Sequence, residues 1–198
     1  MTDQQNRSSD QLNVLANRKA RKYARREQFG RVLWAFAQPL FALSPRPFWG
    51  WRRMMLRFFR AEVGKNVHVY PSVRITMPWN LKLGENCAVG DRATLYALGP
   101  ITLGANATIS QGAHLCAGSH DWRQPDMLLT KPPIVIGESC WIAADAFVGP
   151  NVTVAASAIL GARAVANRDI PAFAIAIGNP ATIVSSRLKS GPGTLRGD

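Results

Sequence analysis

Aliphatic residues recur every six positions from Val63 onward. The series runs Val63, Val69, Ile75 and Leu81, slips by two, and continues Leu83, Val89, Leu95 and Ile101. A second slip of two leads to Leu103, Ile109 and Leu115, and after a longer break it resumes at Ile136, Ile142, Val148, Val154 and Leu160. A small residue often follows the aliphatic one (Gly64, Gly84, Gly104, Gly137, Gly161), and another small residue comes four positions after it (Cys87, Ala107, Cys140, Ala146). A helix needs a period of 3.6 and a half-buried strand a period of 2, so neither explains the series. A period of six suits a solenoid in which each unit is one short strand plus a turn. About eighteen residues then close a triangular coil, and coils stack at the strand spacing of ~4.8 Å. The pattern predicts an all-β solenoid of about five coils over residues 63–177, after an N-terminal segment of residues 1–62 and before a C-terminal turn and tail over 178–198.

The segments at 81–84, 101–104 and 134–137 share the order aliphatic, any, aliphatic, glycine, and mark one corner of successive coils. From Val63 to Leu83 is 20 residues, from Leu83 to Leu103 is 20, and from Leu103 to Ile136 is 33. The third coil thus carries thirteen residues more than its neighbours. They fall in a loop over 119–133, and loops thrown out of a rigid scaffold commonly carry function.

The N-terminal segment has a different pattern. Trp51, Met54, Met55, Phe58 and Phe59 sit at helical spacing on one face, with Arg52, Arg53, Arg57 and Arg60 on the others. This predicts an amphipathic helix that caps the end of the solenoid or lies on an anionic membrane surface, two roles that can coexist. The chain carries a net charge of +12, and residues 1–60 hold thirteen basic residues against three acids. The basic character therefore belongs to this arm, and residues 28–60 are the part expected to meet a membrane. Nucleic acid is not an expected partner, because the basic block carries no groove-reading motif. The longest charge-free run near the N-terminus, 32–45, falls short of the ~20 apolar residues of a membrane span. The N-terminus lacks the order of a signal peptide, and three cysteines without paired spacing suit reduced thiols. The expectation is a cytoplasmic protein with peripheral contact on the inner face of the membrane.

Three histidines are present: His68, His114 and His120. His120 stands at the mouth of the extra loop, and histidine is the side chain best matched to general-base work near neutral pH. Gly118-Ser119-His120-Asp121 and the loop after it, Pro133-Ile134-Val135-Ile136-Gly137, Cys140-Trp141-Ile142-Ala143 and Gly178-Asn179-Pro180-Ala181 together resemble the hexapeptide-repeat O-acetyltransferases. Pro78-Trp79-Asn80-Leu81 and Ile109-Ser110-Gln111 point to the colanic acid and exopolysaccharide branch. The resemblance covers about residues 50–187. It implies a left-handed parallel β-helix, a hand that the periodicity itself does not supply, and a homotrimer with sites in the clefts between subunits.

The resemblance also implies a reaction. His120 takes the proton of a sugar or glycan hydroxyl, lipid-linked or free, as that oxygen attacks acetyl-CoA. A backbone N–H near Ala143 or Ala144 meets the oxyanion. Asp121 joins His120 in the catalytic pair, while Asp91 or a backbone carbonyl are equal candidates to orient the ring. Asp91, His114, Trp122 and Met127 are expected around the acceptor. Coenzyme A is expected along Trp141, Ala143, Ala144, Gly161, Ala162, Asn167 and Arg168. Thr182 and Ser185 stand where relatives can carry arginine, and Arg163 and Arg187 are candidates to compensate. No metal is expected, and the cysteines read as fillers of repeat positions. Two alternatives remain at this stage. One is a zinc lyase of the gamma carbonic anhydrase type, against which the six-residue spacing sets His114 and His120 one strand apart on one face and His68 two coils earlier. The other is a non-catalytic hexapeptide scaffold.

Overall fold

The computed structural model describes residues 12–188. Residues 1–11 of the basic arm and 189–198 of the tail lie outside the described residues. Three helices come first: α1 (Val14–Lys19), α2 (Arg25–Ala42) and α3 (Trp49–Phe58). Nineteen short strands follow, and seventeen of them stack into three faces. Face A holds β1 (Glu62–Val63), β4 (Leu81–Leu83), β7 (Ile101–Leu103), β12 (Ile134–Ile136) and β15 (Thr153–Val154). Face B holds β2 (His68–Val69), β5 (Ala88–Val89), β8 (Thr108–Ile109), β13 (Trp141–Ile142), β16 (Ile159–Leu160) and β18 (Ala174–Ile177), and is closed by antiparallel β19 (Thr182–Ser186). Face C holds β3 (Arg74–Ile75), β6 (Thr94–Tyr96), β9 (His114–Cys116), β14 (Phe147–Val148) and β17 (Val165–Ala166). Five strands on two faces and six parallel strands on the third make about six turns, one more than the repeat predicts. The added strand is β18, which carries face B one coil further.

The register follows the spacing read from the sequence. Val63 pairs with Leu83, Leu83 with Leu103, Leu103 with Ile136 and Ile136 with Val154. Repeat aliphatics such as Val89, Leu95, Ile109, Leu115, Ile142 and Leu160 are buried, while alternate residues face out. Each such side chain contributes about 1.5–3 kcal/mol by leaving water. The turn from face A to face B needs a left-handed residue, supplied by Asn66, Asn86, Asn106, Ser139 and Ser157. In four of these five turns the residue two positions earlier is glycine, and close stacking requires it: a Cβ on Gly104 would lie 2.4 Å from the Glu138 backbone nitrogen.

The first coil has no preceding coil to supply donors, and the helices supply them instead. Arg57 donates to the carbonyls of Val63 and Gly64, Arg53 to that of Val67, Arg52 to that of Val69, and the Trp34 indole N–H to that of Ile75. An open sheet edge otherwise invites pairing with another chain. Arg52 is fully buried. Besides Val69 O at 2.6 Å it donates to Ser44 Oγ at 2.8 Å and to the carbonyls of Pro45 and Arg46. Burial pushes its pKa down from the usual arginine value, but guanidinium stays charged in proteins.

This reverses part of the expected helical face. Met55 and Leu56 are buried, but Trp51, Met54 and Phe58 face out, because the inner side of α3 is given to arginine donors. Helix α2 has two apolar sides. Trp34 and Phe41 are buried, with Trp34 edge-on to Phe41 and Phe59. On the outer side Phe29, Val32, Leu33, Phe36, Leu40 and Leu43 form an exposed stripe on successive turns. No helix among the described residues is long and apolar enough to cross a membrane.

Candidate active site

The extra loop leaves the corner after face C. Within it β10 (Ser119–His120) pairs antiparallel with β11 (Leu129–Thr130), His120 opposite Leu129. His120 therefore sits on a hairpin that stands off the solenoid, whereas His114 lies on β9 in face C. The expectation that the two share a face is overturned: the parallel ladder ends at Cys116 and a separate two-stranded sheet begins. His68 lies elsewhere again, stacked on Trp49 at 4.4 Å between ring centres. Among the described residues no three or more His, Cys, Asp and Glu side chains are grouped to hold a metal ion.

His120 is oriented by a backbone carbonyl. Its Nδ1 lies 2.6 Å from Met127 O. A carbonyl only accepts, so Nδ1 carries the hydrogen and the neutral ring is left with Nε2 as a bare acceptor. Met127 reaches this position through a left-handed backbone, φ +44°, which is uncommon for a residue other than glycine. Asp121 does not bond the ring. Its Oδ1 accepts the Arg123 N–H at 3.1 Å, and its own N–H donates to Leu128 O at 2.9 Å. Its carboxylate shapes the loop instead. Asp91 is likewise engaged elsewhere, accepting from Ser72 Oγ at 2.9 Å with Arg46 3.8 Å away.

The other expected acceptor residues are dispersed around this hairpin. Trp122 is exposed, with the Arg123 guanidinium 5.3 Å from its ring centre. Met127 and His120 share a cavity of about 210 Å³ with Asp126, Asn13, Asn17 and Leu12. His114 stands edge-on to Phe147 at 5.3 Å and to Tyr96 at 6.4 Å. Its Nε2 is buried with no hydrogen-bond partner among the described residues, and burial pushes its pKa down. A neutral ring in that setting suits a wall rather than a base.

Four of the expected coenzyme residues share one corner, between faces B and C. Ala143 and Ala144 follow β13, and Gly161 and Ala162 follow β16 one coil below. The Ala143 N–H donates to Leu160 O at 2.8 Å, so it is not free to meet an oxyanion. The N–H groups of Ala144 and Ala162 make no bond among the described residues. Small side chains and two unengaged donors on neighbouring coils suit an extended amide-bearing arm. Trp141 is exposed on face B, its indole N–H donating to Ser110 Oγ at 2.8 Å. Asn167 and Arg168 are exposed at a different corner, after β17. Arg163 is exposed beside Ala162. Arg187 bonds the carbonyls of Ser139 and Ser157 at 3.0 and 3.1 Å, which places it on the corner between faces A and B, away from Asn167. Cys87 and Cys140 are buried and Cys116 partly so; burial raises all three thiol pKa values.

No family model matches the chain. Individual proteins do. The chain is 45% identical over 160 residues to the Escherichia coli K12 protein named "Putative colanic acid biosynthesis acetyltransferase WcaF", covering 81% of this chain and 88% of that one. The chain belongs to the hexapeptide-repeat acetyltransferase family. It is an acyltransferase, and its fold is the left-handed parallel β-helix. Two solved structures agree in fold. A galactoside acetyltransferase in complex with coenzyme A superposes with a TM-score of 0.77 at 22% identity over 84% of each chain. A hexapeptide-repeat acetyltransferase of Vibrio cholerae complexed with acetyl coenzyme A gives 0.76 at 20% identity, covering 84% of this chain and 91% of that one.

Sequence reasoning missed the residues that hold the loop from outside. Asn17 donates from Nδ2 to the carbonyls of Asp126 and Met127, both at 2.7 Å. Glu27 pairs with Lys131 at 3.0 Å. No local pattern marks either, since each contact joins residues more than a hundred positions apart.

Proposed function

We propose that this chain transfers an acetyl group from acetyl-CoA to a hydroxyl of a sugar in polysaccharide biosynthesis, with His120 as general base. The observation that carries this reading is the bond from His120 Nδ1 to Met127 O, which leaves Nε2 able to take a proton. Nε2 accepts the hydroxyl proton while the oxygen attacks the thioester carbonyl. The Ala144 N–H meets the charge that develops on the carbonyl oxygen. Collapse of that intermediate breaks the carbon–sulfur bond, and the imidazolium returns its proton to the departing thiolate. The relative named for colanic acid biosynthesis supports a polysaccharide acceptor, and the coenzyme complexes of the structural neighbours support the donor. His120→Ala should lower acetyl transfer by about 10²–10⁴-fold. Transfer to a panel of sugars and lipid-linked glycans at the wild-type rate in that variant would refute the assignment.

The site is composite in this reading. The Ala144 corner and the His120 loop leave opposite edges of face C, so a cleft holding both draws on two copies. Faces B and C also present Trp141, Ile159, Phe147 and Val165 outward, whereas face A presents Glu62, Lys82, Thr102 and Thr153 around a single apolar residue, Val135. A homotrimer joining faces B and C follows, and sedimentation equilibrium reads it directly.

The outer stripe of α2 supports a cytoplasmic enzyme resting on an anionic membrane, near a lipid-linked acceptor. Phe36 and Leu43 are 79% and 83% exposed, and Arg25, Arg26 and Arg60 are exposed nearby. The arginines of α3 contribute less, because all three bond solenoid carbonyls. Deleting residues 1–60 would strip that cap, so the test is Phe36→Asp with Leu43→Asp. Undiminished co-sedimentation of this variant with anionic vesicles would refute membrane docking.

A further inference from the structure

Helix α1 buries no residue of its own, yet it is bonded to the catalytic hairpin at three points. The Asn13 N–H donates to Pro125 O at 2.6 Å, and the Asn17 amide donates to Asp126 O and Met127 O at 2.7 Å each. Asn13 also caps the helix by accepting the Ala16 N–H at 2.9 Å, which fixes where the next turn, and hence Asn17, falls. The orientation of the Asn17 amide is determined by chemistry. Lys22 Nζ lies 2.7 Å from Asn17 Oδ1, and an ammonium only donates, so the atom facing Lys22 must be oxygen and the one facing the loop must be nitrogen. Both amide hydrogens are then spent on loop carbonyls. One of these, Met127 O, is the acceptor that also takes the His120 Nδ1 hydrogen.

We propose that Asn17 is a positioning residue for acyl transfer, holding Met127 O in the place where it selects the Nδ1–H tautomer of His120. The inference rests on His120 acting as general base. Met127 sits in a left-handed conformation, which isolated chain rarely visits unless surrounding structure maintains it. The loop tip supplies one bond toward that end, from the Met127 N–H to Gln124 O at 2.9 Å. Asn17 supplies the bond at the carbonyl itself. With the carbonyl displaced, the neutral ring can move its hydrogen to Nε2, and a ring protonated there cannot take a proton from the acceptor. Because α1 has no buried anchor, the contact is made mainly through these polar bonds, and the alignment of the base depends on a segment far away in the chain.

The test uses the full chain and two variants. Asn17→Asp keeps the shape and the pairing to Lys22 but cannot donate to either carbonyl. Asn17→Ala removes both functions and controls for the added charge. Nitrogen-15 NMR of the imidazole reports which nitrogen of His120 carries hydrogen, without reference to activity. The expected result is predominantly Nδ1–H in the parent and a shift toward Nε2–H in both variants. It should be accompanied by a fall in kcat of up to about 100-fold with the KM for acetyl-CoA unchanged, which separates alignment of the base from donor binding. An unchanged tautomer in both variants overturns the proposal, whether or not activity falls. If His120→Ala turns over at the parent rate, the base assignment is what has failed, and the tautomer still reports whether Asn17 sets the ring.

Discussion

Arg52 offers a quantitative test of how the open end of the solenoid is closed. Its guanidinium is fully buried, has no carboxylate partner among the described residues, and serves four acceptors: Val69 O, Ser44 Oγ, Pro45 O and Arg46 O. Replacing it by leucine leaves those acceptors without their donor and detaches the turn at 44–46 from the first coil. Each buried acceptor left without its donor costs about 1–3 kcal/mol, and relief of the guanidinium's own desolvation together with entry of water offsets part of that sum, leaving about 3–5 kcal/mol. For a chain of this size each kcal/mol moves Tm by about 2–4 °C, so Arg52→Leu should melt about 6–20 °C lower. Arg57 makes the same kind of bond, to Val63 O and Gly64 O, but is exposed. Water can replace it there, and Arg57→Leu should cost no more than about 1 kcal/mol. Arg52→Lys should recover only part of the loss, since one ammonium cannot span the fork of acceptors. Urea unfolding followed by tryptophan fluorescence suits the measurement, because Trp34, Trp49 and Trp51 lie in the cap. Protein concentration must be held fixed, as subunit association would shift the midpoint. Arg52→Leu within about 1 kcal/mol of the parent, or Arg57→Leu costing as much as Arg52→Leu, would refute the role given to burial.

Further outcomes follow from the same geometry. Burial lowers the His114 pKa in the folded chain, so below about pH 6.5 the unfolded chain binds a proton that the folded chain does not. Stability should therefore fall as pH drops from that value toward the folded-state pKa, and His114→Phe should flatten the slope in urea midpoints measured from pH 7.5 to 5. Gly104→Ala forces a Cβ to within 2.4 Å of the Glu138 nitrogen and should cost about 1–3 kcal/mol by thermal melting. Cys87 and Cys140, buried with raised thiol pKa values, should react with a thiol reagent only at the rate of unfolding, while Cys116 reacts sooner. Equal rates for all three in the folded protein would contradict the burial.

The spacing of aliphatics predicted the pairings of Val63 with Leu83 and Leu103 with Ile136, because a coil that buries one side chain per strand has no other register. It also located the hairpin, since thirteen residues that fit no coil must leave the stack. The face of α3 was misread for a physical reason. A helical wheel treats arginine as a solvent residue, but the first coil presents unpaired carbonyls, and Arg52, Arg53 and Arg57 are the donors that answer them. The orienting group of His120 was legible only as a choice among alternatives. It depends on the backbone of Met127, and nothing in the identity of that residue announces φ +44°. Asn17 was not legible at all, because its partner lies 110 positions away.

The hairpin interrupts the chain without interrupting the ladder: Leu103 and Ile136 are paired as neighbours even though the loop lies between them. Lengthening the connection at that corner from the five residues between Leu95 and Ile101 to the eighteen between Leu115 and Ile134 costs only about 1 kcal/mol of closure entropy. The ladder pairing of the coils on either side of it is kept whatever its length. With the hairpin holding the acceptor as proposed, specificity and scaffold stability can vary separately, one corner being exchanged while the stack beneath is inherited intact.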